Sequence, residues 1–334
     1  MHTPVAPHSA PGASKRLALL HRMAWICAVF VLVITSLSAF LRLSKAGLGC
    51  EPWPQCYGQE LRAQQQGADP AQADTAEAAA RLAHRVIAST ALLLILVMVM
   101  TALASRPALW PEGRMTLWLL FLALFLAVLG RWTADARLPA VTLGNLLGGF
   151  AMFAVSVRLA LTTAAPSSTA SPAPHRLAPW AWLGAAVLMA QVALGGMVSA
   201  GQAGLSCPEL GGCDVSAGTW QALNPWVEPQ TDAAQPHHPA GALVHVLHRA
   251  SALLVVAVLV PLALLAWRSG RRTSAGLMLG LLGVQAALGV ALVVGGLPLP
   301  LALAHNMVAA LMLAVLLGLT AAPGRRTPTL SPAL

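Results

Sequence analysis

The sequence predicts an all-α integral membrane protein, with eight transmembrane helices arranged as two tandem, pseudo-symmetric four-helix bundles. Three observations carry that expectation. Of 334 residues, 57% are hydrophobic and only 9% charged, with a mean hydropathy of +0.71, far from the composition of a soluble domain. Apolar runs near the length that crosses a bilayer recur eight times. The landmarks of the first four runs then reappear, in order, along the last four.

The opening segment, "MHTPVAPHSAPGASKR", is rich in Pro, Ala and Ser and reads as a disordered tail over 1–16. The first run, about 17–42, is too long for the apolar core of an ordinary cleaved signal peptide. The second, about 82–105, opens on His84-Arg85, and the third, about 115–131, is the shortest. The fourth, about 140–163, follows "LP" and completes a first bundle over 17–165. Runs at about 177–199, 241–267, 275–295 and 300–321 form a second bundle over 176–322, ahead of a tail at 323–334. In lipid the backbone must satisfy its own hydrogen bonds, so these runs are helices; a barrel would show alternating strands.

A net charge of +9 raises the question of nucleic acid, and the distribution of charge answers it. Lys15, Arg16, Arg106, Arg114, Arg176, Arg268, Arg271, Arg272, Arg325 and Arg326 fall on alternate connections, whereas all acidic residues but Glu112 fall on the others. That is the positive-inside pattern, with both termini cytoplasmic. The basic balance orients the chain in lipid and implies no nucleic acid partner. The short segment before the first run leaves little room for a transit peptide, so a bacterial inner (plasma) membrane is expected.

The duplication is visible residue by residue. "AGLGCEPWPQC" follows the first run and "AGLSCPELGGC" the fifth; "LAHRVIAS" opens the second and "VLHRASAL" the sixth. "LPAVTLGNLLGG" opens the fourth and "LPLALAHNMVAA" the eighth, which aligns Asn145 with His305. The offsets are 157 (Cys50 to Cys207), 164 (His84 to His248) and 160 (Asn145 to His305). Four helices per copy means that both enter the membrane in the same direction, as parallel repeats.

Cys50 with Cys56 and Cys207 with Cys213 lie on the non-cytoplasmic side, where closely spaced cysteines are oxidised. A structural disulfide, an exchangeable one and a zinc site are the three readings open to them. Cys27, within the first run, reads as a small core residue. His248 and His305 fall at matched depth on different helices of one bundle, and intramembrane ionisable groups point to function. Paired imidazoles inside a four-helix bundle suit axial ligation of haem iron. Arg249, beside His248, is placed to meet a haem propionate. His245 lines either the same pocket or the surface, His21 lies at the wrong end, and His237 and His238 read as solvated.

These residues together resemble the heme A synthase family, whose members have eight helices, duplicated bundles and outer-loop cysteine pairs. The likeness runs over about 18–321, through "RLSKAGLGCEPWPQC", "AHRVIA", "LPAVTLGNLLGG", "GGMVSAGQAGLSC" and "LHRASALL". It implies haem b held between His248 and His305 in the second half. The first half would handle heme O as substrate through His84 and Arg85, oxidising a methyl to the formyl of heme A for cytochrome oxidase biogenesis. It further implies membrane lipid, heme O synthase and cytochrome oxidase assembly proteins as partners. Two positions depart from the family pattern: Arg81 where a Glu precedes the histidine by three residues, and Asn145 where a second histidine stands. The departures keep two alternatives in view, a non-catalytic haem-binding assembly factor or chaperone for a terminal oxidase, and a di-haem electron carrier. The latter needs two complete ligand pairs.

Overall fold

The computed structural model describes residues 11–45, 54–56, 58–59, 63, 67, 75–133, 138–164, 177–216, 218–229 and 238–320. Among these are eight helices long and apolar enough to cross a membrane. They are α1 (Pro11–Lys45), α2 (Thr75–Leu103), α3 (Trp110–Thr133), α4 (Pro139–Thr163), α5 (Leu177–Ala200), α6 (Ala242–Arg268), α7 (Arg272–Val294) and α8 (Leu299–Thr320). No strand occurs among the described residues. The chain is an all-helical, multi-pass membrane protein, as its apolar runs predict.

Three helix starts differ from expectation for physical reasons: α1, α3 and α2, which begins at Thr75 and not near 82, with Glu77 in its first turn. Helix α1 starts at Pro11, so 11–16 extend the first span instead of belonging to the tail. Proline suits a first helical position because its missing N–H has no intrahelical partner there. Arg16, one turn further on, donates to the Ser105 and Pro107 carbonyls at the end of α2, which anchors this end. Helix α3 starts at Trp110, earlier than the apolar run, because Glu112 and Arg114 occupy its first turns. A carboxylate is favourable at a helix N-terminus, so polar residues extend the helix where hydropathy alone would stop it.

Stops and turns are equally local. Helix α6 ends at Arg268; Gly270, two residues on, takes a φ of 82°, and the Arg271 N–H closes back on the Ala266 carbonyl. Such a left-handed residue after a helix is a glycine's place. Helix α7 closes at Gly296 and Leu297, with φ of 66° and 60°, and α8 follows directly.

Helix α1 packs on α2 and α4, and α3 on the same two; α5 packs on α6 and α8, and α7 on those two. Helices α1 and α4 meet α8, and α4 meets α5, across the halves. Large side chains such as Leu93, Phe121, Val128 and Leu253 face outward, as lipid permits. Where helices approach closely the residues are small. A Cβ on Gly196 of α5 would come within 2.9 Å of Leu143 and Leu146 of α4.

The two halves are also joined at the end that carries the cysteine loops. Leu43 of α1 clusters with Leu205, Leu299 and Leu303, and Leu143 of α4 with Met197, Ala203, Leu223 and Val244. Arg42 donates to the Ser199 hydroxyl of α5 at 3.2 Å. The Pro225 carbonyl, in the segment between α5 and α6, accepts from the Ala140 N–H in the first turn of α4 at 2.8 Å. At the opposite end Arg158 of α4 donates to Thr320 of α8 at 2.9 Å.

Candidate functional site

His248 and His305 each lie six residues beyond the first residue of their helices, Ala242 and Leu299. At 1.5 Å per residue both sit roughly 9 Å below the loop end. Helix α5 supplies a cradle for the first ring: a Cβ on Gly195 would meet His248 Cε1 at 2.9 Å. Helix α7 does the same more loosely for the second, where a Cβ on Gly289 would stand 3.5 Å from His305 Cε1. The absence of side chains at these two points leaves the imidazoles room to stand between helices.

The environments of the two rings differ. His248 Nδ1 lies 3.1 Å from Gln191 Nε2, which also donates to the His248 carbonyl at 3.0 Å. The Ser251 hydroxyl lies within reach of both Gln191 Oε1 and that carbonyl. His305 Nδ1, by contrast, is buried with no hydrogen-bond partner, and so is Gln285 Oε1. A buried donor or acceptor left unpaired costs about 1–3 kcal/mol, so both groups are short of a partner as they stand. Two imidazoles at one register, each beside a glycine of a neighbouring helix, fit an axially ligated haem.

Above the histidines lies the second cysteine loop. Cys207 and Cys213 form a disulfide with Cα atoms 4.7 Å apart, which settles the second pair as oxidised and leaves no thiolate there for zinc. Arg249, expected to face a propionate, uses its guanidinium on this loop. It donates to the carbonyls of Cys207 at 2.6 Å and of Glu209 at 2.7 Å, while its Nε stays buried without a partner. His245 is buried, with Nδ1 2.9 Å from the Ala203 carbonyl, and therefore fastens α6 to the start of the loop. Loop, disulfide and the helix carrying His248 are one unit.

His238 corrects the expectation of a solvated residue. It is buried at 7% exposure, and its carbonyl accepts from Ser206 at 2.5 Å. Burial lowers its pKa from the usual imidazole value, so the neutral ring is favoured. The residues 219–229 and 238–241 fold over it, lining a pocket with Pro139, Ala203 and Val244. His237 lies outside the described residues. His21 meets the Ala160 carbonyl at 2.8 Å, far from this end.

In the first half, His84 of α2 is half-buried and Arg85 exposed. Arg81 forms an ion pair with Glu77 at 3.2 Å, one turn nearer the helix start. Asn145 of α4 lies six residues beyond Pro139, the register that His305 occupies in α8. Its amide donates to Ser38 of α1 at 3.4 Å. Cys56 is disulfide-bonded, and Cys50, its expected partner, lies outside the described residues. Cys27 is a free, buried thiol.

Gln191 and Ser251 were not apparent from the sequence. The available signal was a lone amide in an otherwise apolar span, where any polar group needs a partner. The disulfide gives a direct test: unreduced peptide mapping should find Cys207 joined to Cys213, and a bridge between the two halves would contradict the structure. Closing so short a loop restricts the unfolded chain modestly, so Cys207→Ser with Cys213→Ser should cost on the order of 2 kcal/mol.

Residues 21–317 match the family model described as Cytochrome oxidase assembly protein (COX15-CtaA). The chain is similar to the heme A synthase of Shewanella oneidensis, at 33% identity over 311 residues, which is 87% of this chain and 92% of the relative. It is similar to the heme A synthase of Methylobacterium nodulans at 37% identity, over 42% of this chain and 40% of the relative. A 29% likeness to the heme A synthase of Rhodospirillum centenum covers 47% and 42% of the two chains.

Proposed function

Because the chain belongs to the COX15-CtaA family of cytochrome oxidase assembly proteins, we propose that it converts heme O to heme A, oxidising a methyl to a formyl in the membrane. The near full-length likeness to a heme A synthase supports this. The observation that carries the assignment to a site is the matched pair His248 and His305, at one register on helices that both pack against α5 and α7. These two residues would hold a haem b, which supplies a route for electrons when bound. The His248 ring is held by Gln191, and the His305 Nδ1 is left for a partner. Arg249 and the Cys207–Cys213 disulfide close the loop over that end and limit the entry of water.

The substrate half is the first, around His84 and Arg85. The half-buried His84 faces the substrate heme O, and the exposed Arg85 is the cation available to a propionate. On the charge distribution given above, the loop side is the non-cytoplasmic side and both termini are cytoplasmic; the bacterial inner membrane is the membrane proposed. Heme O synthase and oxidase assembly proteins are the expected partners for delivery and release.

A second reading rests on a specific observation. Asn145 is spent on Ser38 and Arg81 on Glu77, so neither position supplies the second imidazole or the carboxylate of the family pattern. That suits a haem-binding assembly factor without catalysis. Expression with a supply of heme O and its redox partners, followed by extraction and analysis of haems, separates the two. Heme A should appear; a preparation fully loaded with haem b that makes none would leave the assembly-factor reading.

A further inference from the structure

The two histidines of the second half are served by a short motif that occurs twice. Helix α5 reads "QVALG" over 191–195 and helix α7 reads "QAALG" over 285–289. Gln191 lies nine residues before the last residue of α5, Ala200, and Gln285 nine before the last of α7, Val294. In each motif the Gln and Gly are four residues apart, hence on one helical face. In each, the glycine faces a histidine ring of the helix that follows: Gly195 faces His248 and Gly289 faces His305.

Only one of the two side-chain amide oxygens has a partner. Gln191 lies on His248 Nδ1, whereas Gln285 Oε1 and His305 Nδ1 are both buried without partners. Those two orphans are complementary, one an acceptor and one able to carry a proton. Resting on the reading of His248 and His305 as iron ligands, we propose that Gln191 and Gln285 are a matched pair of positioning residues, each accepting the Nδ1–H of its histidine through Oε1. A ring that binds iron through Nε2 must hold its proton on Nδ1, and the partner of that proton fixes ring orientation and basicity. Gln191 now presents Nε2 to His248, so ligation turns its amide over. Ser251, which reaches both Oε1 and the His248 carbonyl, accepts from the inverted amide.

The first half supports the assignment by contrast. The offset of 157 that relates the cysteine loops places Ile34 where α5 has Gln191, and no glutamine occurs in α1 or α3. The half that lacks the second histidine also lacks the amides.

The test uses the purified full-length protein with its haem. Gln191→Leu, Gln285→Leu and the double variant are compared with wild type by potentiometric titration and by low-temperature electron paramagnetic resonance of the ferric form. Loss of an acceptor weakens the Nδ1–H bond and makes the imidazole a poorer donor to iron. The haem should stay low-spin and six-coordinate while its midpoint potential moves positive in each single variant and further in the double. The ferric g-values should shift as the rings lose their fixed planes. Gln→Asn at either position, too short to reach the ring, should act in the same direction and serves where a Leu variant does not accumulate. Bound haem with unchanged potential and g-values in these variants would overturn the positioning role and leave the ligands standing. Wild type without six-coordinate haem would instead overturn the ligand assignment, and the inference with it.

Discussion

Replacing His248 or His305 with alanine is expected to abolish the six-coordinate, low-spin haem b spectrum of the purified protein. The effect should be all or nothing in each single variant, because the two imidazoles would come from different helices and no third described histidine stands at their level. His245, one turn away, is held by the Ala203 carbonyl and is not free to substitute. Leaving one axial position empty converts the iron to five-coordinate, high-spin absorption or releases the haem during purification. Optical and electron paramagnetic resonance spectra of the two variants decide the matter. Full low-spin signal in both would remove the proposed ligands.

The second large effect concerns the first half. His84→Ala should stop heme A formation while the haem b spectrum of the second half persists. His84 and His248 stand on helices of different halves, so the two losses should be close to independent. The assay is haem extraction after heme O supply, run beside a spectrum of the same preparation. Parallel loss of both signals would mean that His84 holds the fold and not the substrate. The pair Asn145→His with Arg81→Glu restores the family pattern at both departures. An enzyme adapted to its own residues should gain little from it, whereas a non-catalytic binder should gain heme A formation. The ion pair of Arg81 with Glu77 and the hydrogen bond of Asn145 to Ser38 are lost in that variant, and both are peripheral or weak enough to spare the fold.

What was legible in the sequence follows from the solvent. Lipid forbids unpaired backbone, so continuous apolar runs had to be helices, and all eight are present. The boundaries at α1 and α3 escaped hydropathy because Arg16, Glu112 and Arg114 extend those helices through anchoring and charge at the ends. The cysteine spacing and its side of the membrane made the Cys207–Cys213 disulfide readable. His238 misled because its neighbours are polar and proline-rich, while its burial depends on Ser206 and Gly241, thirty-odd positions upstream and three downstream. The loop contacts of Arg249 were illegible for a different reason. Its partners are main-chain carbonyls, and a carbonyl leaves no trace in the residue letters.

The bonds that cross between the halves bear on the history of the gene. A duplicated four-helix unit starts as two self-sufficient copies that could be cut apart again. Here the Pro225 carbonyl terminates a helix of the other copy at Ala140, Arg42 reaches Ser199, and Leu43 is sealed by Leu205 and Leu299. Each copy has thus surrendered part of its own closure to its sibling. Separated at the 165–176 junction, neither fragment would retain a finished end, and each would offer the bilayer surface an open seam. The two halves therefore stand or fall together: the chain encodes a single object that can be lost or kept only whole.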